Sequence, residues 1–583
     1  MRAGAKGVGF ASSPVLAVRL PAGRSRLLLL IMTLAFAALF GRALYLQGIS
    51  TAFLQKQGAQ RYERTVILPA MRGKITDRNG SVVASSLPVK AVWADDVPLD
   101  NPKLDQLAGL LAMPASALRA RLAEDDGKRN KFTYLKRQVG DELAAKVAAL
   151  AIPGVHERTE FKRYYPEGET LAHVVGFSDI EEVGQEGIER AFNDQLTGRT
   201  GKRRVIKDLF GSVVDEGELE RTAYDGETLA LSIDTKIQSV VFATLKATVE
   251  QFRAKAGAAV VLDVRTGEVL ALANIPTYDP NDRARLRGEQ LRNRVITDQY
   301  EPGSIMKPFT VALALNTKRV TPDTPYNTAP GHITIDGKTV GDSHAHGVLT
   351  VREIIQKSSN VGTVKIAMPI PPKEMYEFFS SVGFGQAPKI PFPGASAGRV
   401  RPWNTWKPIE QATMAYGHGI SVSLLQMARA YTVFAREGDI IPITMLRTEK
   451  PAVGQRIVSP EVARQMREML EMASGPGGTA PKAQVVGYRV GGKTGTARKQ
   501  EGRGYAAGKY ISSYVGLAPV SNPRVIIAVM VDEPSSGTYY GGDVAAPAFS
   551  QIAGTALRLL NVAPDAPFKA SVIAPAPAVE ESM

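Results

Sequence analysis

The chain has no cysteine and only six histidines in 583 residues. Disulfides, thiolate nucleophiles and Cys-based zinc sites are therefore excluded. A chain without thiols is compatible with an oxidising extracytoplasmic compartment. Basic runs are missing as well, although the net charge is +14. Arg2, Lys6, Arg19, Arg24, Arg26 and Arg42 lie in the first 46 residues, which hold no acid, and the rest of the excess is spread thinly over the remainder of the chain. That distribution argues against a nucleic-acid binder and for a basic tail ahead of a mildly basic globular chain. No internal repeat is found. At this length more than one core is expected.

Long apolar runs are scarce too: Leu27 to Leu46 stands alone. Twenty helical residues reach about 30 Å, the thickness of a bilayer's hydrocarbon core. Arg42, near the far end, can snorkel to the headgroups. Five basic residues precede the run, which predicts a cytoplasmic N-terminus and an external remainder. The alternative is a cleaved signal peptide, with Ala35-Phe36-Ala37 as the cleavage site. The long charged region and the run's extension past that point favour an anchor.

From Thr51 to Arg221 short strand-like runs alternate with amphipathic segments. Leucines from Leu104 to Leu111 have helical spacing, and the helix is expected to continue to Arg121. From Thr228 the texture changes. Leu229–Ile233 reads as a strand and Thr235–Phe252 as a helix. Ala258–Leu262 and Glu268–Leu272 read as strands joined by a turn at Thr266-Gly267. Further strands are expected at Val485–Val490, Tyr514–Leu517 and Val525–Val531, and a helix from about Pro547 to Leu560. Strands at both ends of a helical middle predict an α+β domain whose sheet joins distant segments. The Ala/Pro-rich residues 563–583 read as disordered.

Three short motifs carry the chemistry: Ser304-Ile-Met-Lys307, Ser358-Ser359-Asn360 and Lys493-Thr494-Gly495-Thr496. Each is weak alone. Together, 54 and then 135 residues apart, they have the order nucleophile, proton relay, substrate strand. After the turn at Glu301-Pro302-Gly303, Ser304 opens an apolar run of helical length, and Lys307 lies three residues on, on the same face. To act as a base Lys307 must fall from about 10.4 to near neutrality, which burial and a like charge such as Lys493 could accomplish. Ser358 and Asn360 follow the helical Val351–Lys357; the hydroxyl can pass a proton and the amide can hold a carbonyl. Lys493, Thr494 and Thr496 suit a carboxylate, and Gly495 permits close backbone approach.

Gly487 to Thr494 also fits the phosphate-loop pattern G-x-x-x-x-G-K-[ST]. That loop must open into a helix, whereas Gly495 and a polar loop follow here. His344 and His346 lack a third ligand nearby. No metal and no cofactor is expected.

The three motifs resemble those of the penicillin-reactive serine acyl-transferases. The chain as a whole is similar to the class B penicillin-binding proteins. Arg72-Gly-Lys-Ile-Thr-Asp-Arg-Asn-Gly80, Arg163 to Gly168, Ala172 to Gly176, Gly187-Ile-Glu189 and Leu196-Thr-Gly198 resemble that class's N-terminal pedestal signatures. Arg294 to Ser304 and Tyr539 to Gly542 look most like its division-specific FtsI type, with the elongation-specific type as near rival. Ser421-Val-Ser423 departs from the family's usual Val-Thr-Pro.

The resemblance implies an α+β chain. A basic tail (1–26) and a single membrane helix (27–46) would precede an elongated pedestal (47–221). A transpeptidase domain (222–562) would then pair an antiparallel sheet with flanking helices and an all-helical part. It implies a septal D,D-transpeptidase held in the inner membrane with its catalytic domain in the periplasm. Ser304 would be acylated by the D-alanyl-D-alanine end of a stem pentapeptide, with Lys307 as base and Ser358 as relay. Asn360, Lys493, Thr494, Gly495 and Thr496 would bind substrate, and the amides of Ser304 and Thr496 would form the oxyanion hole. β-Lactams would be covalent inhibitors. An FtsW-type glycosyltransferase and other divisome proteins would be partners. A hydrolase and a non-catalytic sensor are the rival readings; the intact Ser304 and Lys307 weigh against the sensor.

Overall fold

The computed structural model describes residues 21–123, 132–207, 213–502 and 504–566. Most of the basic tail (1–20) and most of the Ala/Pro-rich tail (567–583) lie outside these residues. Two compact units are formed.

The first comprises residues up to Ala70 together with Arg199–Tyr224. Pro21 caps the helix Ala22–Leu44, which passes into a π-helical turn, Tyr45–Ile49. This apolar helix is 28 residues long and none of its side chains is buried within the protein, so it extends beyond the expected span at both ends. At 1.5 Å per residue it reaches about 42 Å, enough to cross a bilayer. A helix Thr51–Tyr62 follows. In the same unit Gly201–Lys207 lies between Glu63–Leu68 and Val213–Arg221, antiparallel to both.

The second unit holds the rest. In its N-terminal part the long strand Val82–Ala94 pairs with Ile75–Thr76, Thr133–Val139 and Val155–Tyr164. Leu104, Leu107, Leu118, Leu135 and Val147 form a small core there. The helix expected over 104–121 is broken into Leu104–Leu110 and Ala115–Ala123. Ala112 adopts φ +53°, and Pro114 cannot continue a helix from the preceding turn. Three of the signature segments meet in one buried ion cluster: Glu189 accepts from Arg72 Nε and from Arg163 Nε, both at 2.6 Å. Removing one member would strand a buried charge, which is strongly destabilising.

The larger part is built on a five-stranded sheet in the order Val269–Ile275, Ala256–Asp263, Val525–Asp532, Gly504–Ala518, Gly491–Glu501. All neighbours are antiparallel. Helices Thr235–Gln251 and Gly541–Leu559 cover one face, against Val525, Ile527, Val529 and Val531. The helical middle covers the other, against Ile526, Ala528 and Met530. Strand side chains alternate between faces, and because both faces are dry the whole run is apolar.

Three expectations change. Leu229–Ile233 contributes only the two-residue strand Leu229–Ala230, which runs parallel to Ile75–Thr76 rather than joining the five-stranded sheet. Val485–Val490 is not a strand: Gly487 takes φ +84° and turns the chain, and the strand begins at Gly491. The last helix starts at Gly541, with Pro547 inside it rather than at its start. Of the tail read as disordered, Asp565 accepts from the amide of Arg489 at 2.7 Å, tethering its first residues.

Candidate active site

Gly303–Met306 forms a 3-10 turn and Lys307 opens the α-helix Lys307–Asn316. Residues three apart eclipse in a 3-10 turn, so Ser304 and Lys307 share a face more closely than in the α-helix expected. Pro308 lies in the first helical turn, where no donor is lost. Except for Asn316, every side chain of this helix is buried. Lys307 is completely so. Ser304 is half-buried.

The second motif straddles two helices. Val351–Lys357 starts with a capping box, Thr350 with Glu353. Ser358 ends it in the left-handed region at φ +58°, a conformation that costs energy in a non-glycine residue and clusters at functional sites. That turn points both its carbonyl and its hydroxyl at Lys307: Nζ donates to Ser358 O and, at 3.1 Å, to Ser358 Oγ. Among the described residues these are the hydrogen-bond partners of the Lys307 amine, and Ser304 Oγ is not one of them. Ser359 caps the next helix, accepting from Gly362 N at 2.9 Å, and Asn360 Nδ2 donates to Gly341 O at 2.7 Å.

Asp342, which no motif pointed to, organises this corner. Its carboxylate accepts from Ser359 Oγ at 2.7 Å, from Asn360 N, and from Val361 N at 3.0 Å. A carboxylate suits the N-terminus of the helix Asn360–Ala367. The only signal in the sequence was that helix start itself, which leaves amides in need of an acceptor. His344 and His346 follow Asp342 closely in the chain, the first exposed and the second half-buried.

Lys493, Thr494, Gly495 and Thr496 belong to the edge strand Gly491–Glu501, so the phosphate-loop reading fails: no helix follows Lys493. Lys493 is fully buried. Its amine donates to Thr494 Oγ1 at 3.3 Å, and Thr494 Oγ1 meets Thr479 Oγ1 at 2.9 Å. Thr496 Oγ1 accepts from Gly541 N at 3.0 Å. A Cβ on Gly495 would lie 2.4 Å from Ser513 Oγ and 2.9 Å from Pro302 O. The glycine thus lets the edge strand press against the serine-bearing turn, a closer demand than access for a ligand.

Of the two causes expected for Lys307, burial acts and the charge of Lys493 does not. Burial lowers the Lys307 amine to about 7, and the Asp342 carboxylate opposes that fall. Lys493 is driven well below its usual value by burial first and by the charge of Lys307 second. Desolvation, rather than charge from Lys493, brings the Lys307 amine close to neutrality.

His418 was also missed. It stands between Tyr416 and Tyr505, with ring centroids 5.1 and 6.2 Å away. Its imidazole is lowered to about 4 by burial, then by Lys307 and Arg498. The site therefore assembles a hydroxyl at a helix start, a dry amine able to exchange a proton near pH 7, a second hydroxyl bonded to that amine, and a sheet edge with another dry amine. Those are the parts of nucleophilic acyl transfer.

A family model for the penicillin binding protein transpeptidase domain matches residues 257–554, and one for the penicillin-binding protein dimerisation domain matches 67–231. The chain is 42% identical over 559 residues to a protein described as a probable peptidoglycan D,D-transpeptidase, PenA, of Neisseria gonorrhoeae, covering 94% of this chain and 95% of that one. It is 39% identical to the peptidoglycan D,D-transpeptidase FtsI of Escherichia coli K12, over 91% of each chain. Among solved structures, a transpeptidase domain of Burkholderia pseudomallei penicillin-binding protein 3 is 55% identical with a TM-score of 0.54, covering 58% of this chain and 98% of that one. A peptidoglycan synthetase from Bifidobacterium adolescentis matches 87% of this chain and 98% of its own, at 26% identity and a TM-score of 0.68.

Proposed function

The chain belongs to the penicillin-binding protein transpeptidases, and from that premise we propose that it cross-links septal peptidoglycan through an acyl-enzyme on Ser304. The observation that carries the reading is the Lys307 amine: fully buried, lowered to about 7, one 3-10 turn from Ser304 and hydrogen-bonded to Ser358.

In this reading neutral Lys307 takes the Ser304 proton as Oγ attacks the carbonyl carbon of the penultimate D-alanine. The amides of Ser304 and Thr496 hold the developing oxyanion. The bond to the last D-alanine breaks, and its amine leaves with a proton passed from Lys307 through Ser358. The acceptor amine of a second stem peptide then attacks the ester and frees Ser304. Asn360 holds the donor backbone, while Lys493, Thr494 and Thr496 hold the terminal carboxylate, the approach of which favours a charged Lys493. Gly495 keeps the strand against the serine turn. β-Lactams would enter the same path and stay as esters.

We place a membrane anchor at the N-terminal helix, with a cytoplasmic N-terminus, a pedestal over 47–221 and a transpeptidase domain over 222–562. The basic residues before the helix support the orientation, and the two matched segments support the division. The FtsI name of a relative covering most of the chain supports a septal role, in which an FtsW-type glycosyltransferase and other divisome proteins would be partners. Labelling with fluorescent penicillin tests the chemistry, followed by transfer of a D-alanyl-D-alanine peptide to an added amine. Failure to label refutes the acyl-enzyme; D-alanine release with no transfer makes the protein a carboxypeptidase, and rapid loss of the label a β-lactamase.

Removing residues 1–46 is expected to give a protein soluble without detergent that still labels, because every motif of the site lies beyond Thr228. Loss of labelling with the fold retained would give the helix a part in catalysis.

Asp342→Asn separates two effects. The carboxylate raises Lys307 against burial, so its removal lets the amine lose its proton at lower pH. The acid limb of the acylation profile should move below about 7. The plateau should drop about tenfold as three donors lose a charged acceptor. Acylation by a chromogenic cephalosporin from about pH 5 to 9 measures both. An unmoved limb would show that the carboxylate does not act on Lys307.

A further inference from the structure

Glu301 is nearly buried and stands three residues before Ser304. Its Oε1 accepts from Gly419 N at 2.8 Å and from Gln500 Nε2 at 2.9 Å, and its Oε2 accepts from Tyr505 OH at 2.9 Å. Those donors come from two segments remote in sequence, the loop 416–419 and the arms of the strand pair that carries Lys493. No cation is among these partners. A carboxylate taken out of water without a counter-ion is costly, and burial accordingly pushes Glu301 up. The Tyr416 and Tyr505 phenols facing it are pushed up to about 12, by burial and then by Glu301 itself. His418, the other titratable group of that loop, is held neutral.

The loop lies on the serine turn. Gly303 N donates to Gly417 O at 3.1 Å, and a Cβ on Gly417, at φ +89°, would lie 2.2 Å from Gly303 O. Glu301 thus joins the base of the nucleophile's turn, the loop bearing Tyr416 and His418, and the outer end of the substrate strand. A buried anion bound by three neutral donors is a poor source of stability but a stringent geometric tie.

We propose that Glu301 is a positioning residue for acylation: by holding these three segments together it fixes the gap between Ser304 and the Lys493–Thr496 strand. The proposal rests on the reading of Ser304 as nucleophile. Glu301 touches neither Lys307 nor substrate in this assignment, and moves no proton.

The amide of Glu301→Gln can make the same tie. Its Oε1 still accepts from Gly419 and Gln500, and its NH2 can donate to Tyr505 OH, which turns its own proton to water. Glu301→Ala leaves three donors unmet. Acylation rate and apparent affinity are measured separately, at saturating and limiting chromogenic cephalosporin, beside thermal melting. Expected are a loss of 30-fold or more in the saturated rate for Glu301→Ala, affinity within about threefold, and Glu301→Gln within about threefold of wild type. Tyr505→Phe, which cuts the same tie from the half-exposed partner, should cost several-fold alone and almost nothing added to Glu301→Ala.

If Glu301→Gln falls as far as Glu301→Ala, the carboxylate itself takes part in the chemistry. If Glu301→Ala stays within threefold of wild type, or the two losses multiply, the tie is irrelevant to acylation. Should Glu301→Ala not fold, Tyr505→Phe and Gln500→Ala carry the test: unchanged rates in both overturn the proposal. A wild-type chain that is not acylated at all would instead refute the function, and is told apart by that control.

Discussion

Ser304→Ala is expected to fold like the wild type and to carry no covalent penicillin. The hydroxyl stands at the start of a helix that is buried over nearly its whole length. Among the described residues no hydrogen bond of the fold depends on it. Replacing it by a methyl removes a small half-exposed group, and stability should change by less than about 1 kcal/mol. The chemistry should vanish, since in the proposed mechanism the oxygen of that hydroxyl becomes the ester oxygen. Mass spectrometry of the intact protein after incubation with penicillin, beside a melting curve, decides it. An adduct of the expected mass on another residue would show that the nucleophile is misassigned.

Lys307→Arg is expected to lower acylation by 10²-fold or more, the cost of losing a general base. The wild-type rate should rise about tenfold per pH unit below about 7 and level above it, because only the neutral amine accepts a proton and its pKa is held near 7. A guanidinium does not become neutral in proteins, so the variant's rate should stay low from about pH 6 to 9. The larger group in a fully buried place should also cost about 1–3 kcal/mol by overpacking, which the melting curve reports independently. A rate near that of the wild type would mean that Lys307 serves as a charge and that another group takes the proton.

The parts of this molecule that were legible in the sequence are those where one residue's neighbours decide its state. Val525–Val531 reads as a strand because both of its faces must be apolar. Ser304 and Lys307 come within one turn of each other by spacing alone. The readings that failed did so where local preference met a distant demand. Val485 to Val490 has strand-forming residues, yet Gly487 turns inside it, and the strand begins only at Gly491, where pairing with Leu517 sets in. Pro547 suggested a helix start, while packing on the sheet carries the helix back to Gly541. The break at Leu111–Pro114 was visible as Pro114 and outweighed by leucine spacing. Asp342 and His418 had no spacing to reveal them, because each meets its partners only through the tertiary fold. The lowering of Lys307 by burial was expected, but the opposing Asp342 was not: which charge meets a buried amine depends on everything around it, which no motif contains.

The order of strands in the five-stranded sheet has a consequence for how the chain comes to be active. Val525–Asp532 is the last of its strands in sequence and the central one in space. It alone joins the pair Ala256–Asp263 and Val269–Ile275 to the pair that carries Lys493. Ser304 and its helix can form early, yet the wall opposite them is in place only after a strand more than two hundred residues downstream has been inserted. Closing so long a loop is slow, as is any folding dominated by distant pairings. During synthesis, a stretch of more than two hundred residues therefore separates the appearance of Ser304 from that of the strand that completes the sheet beside it. The surroundings of Ser304 are completed late, when the sheet is closed from its middle.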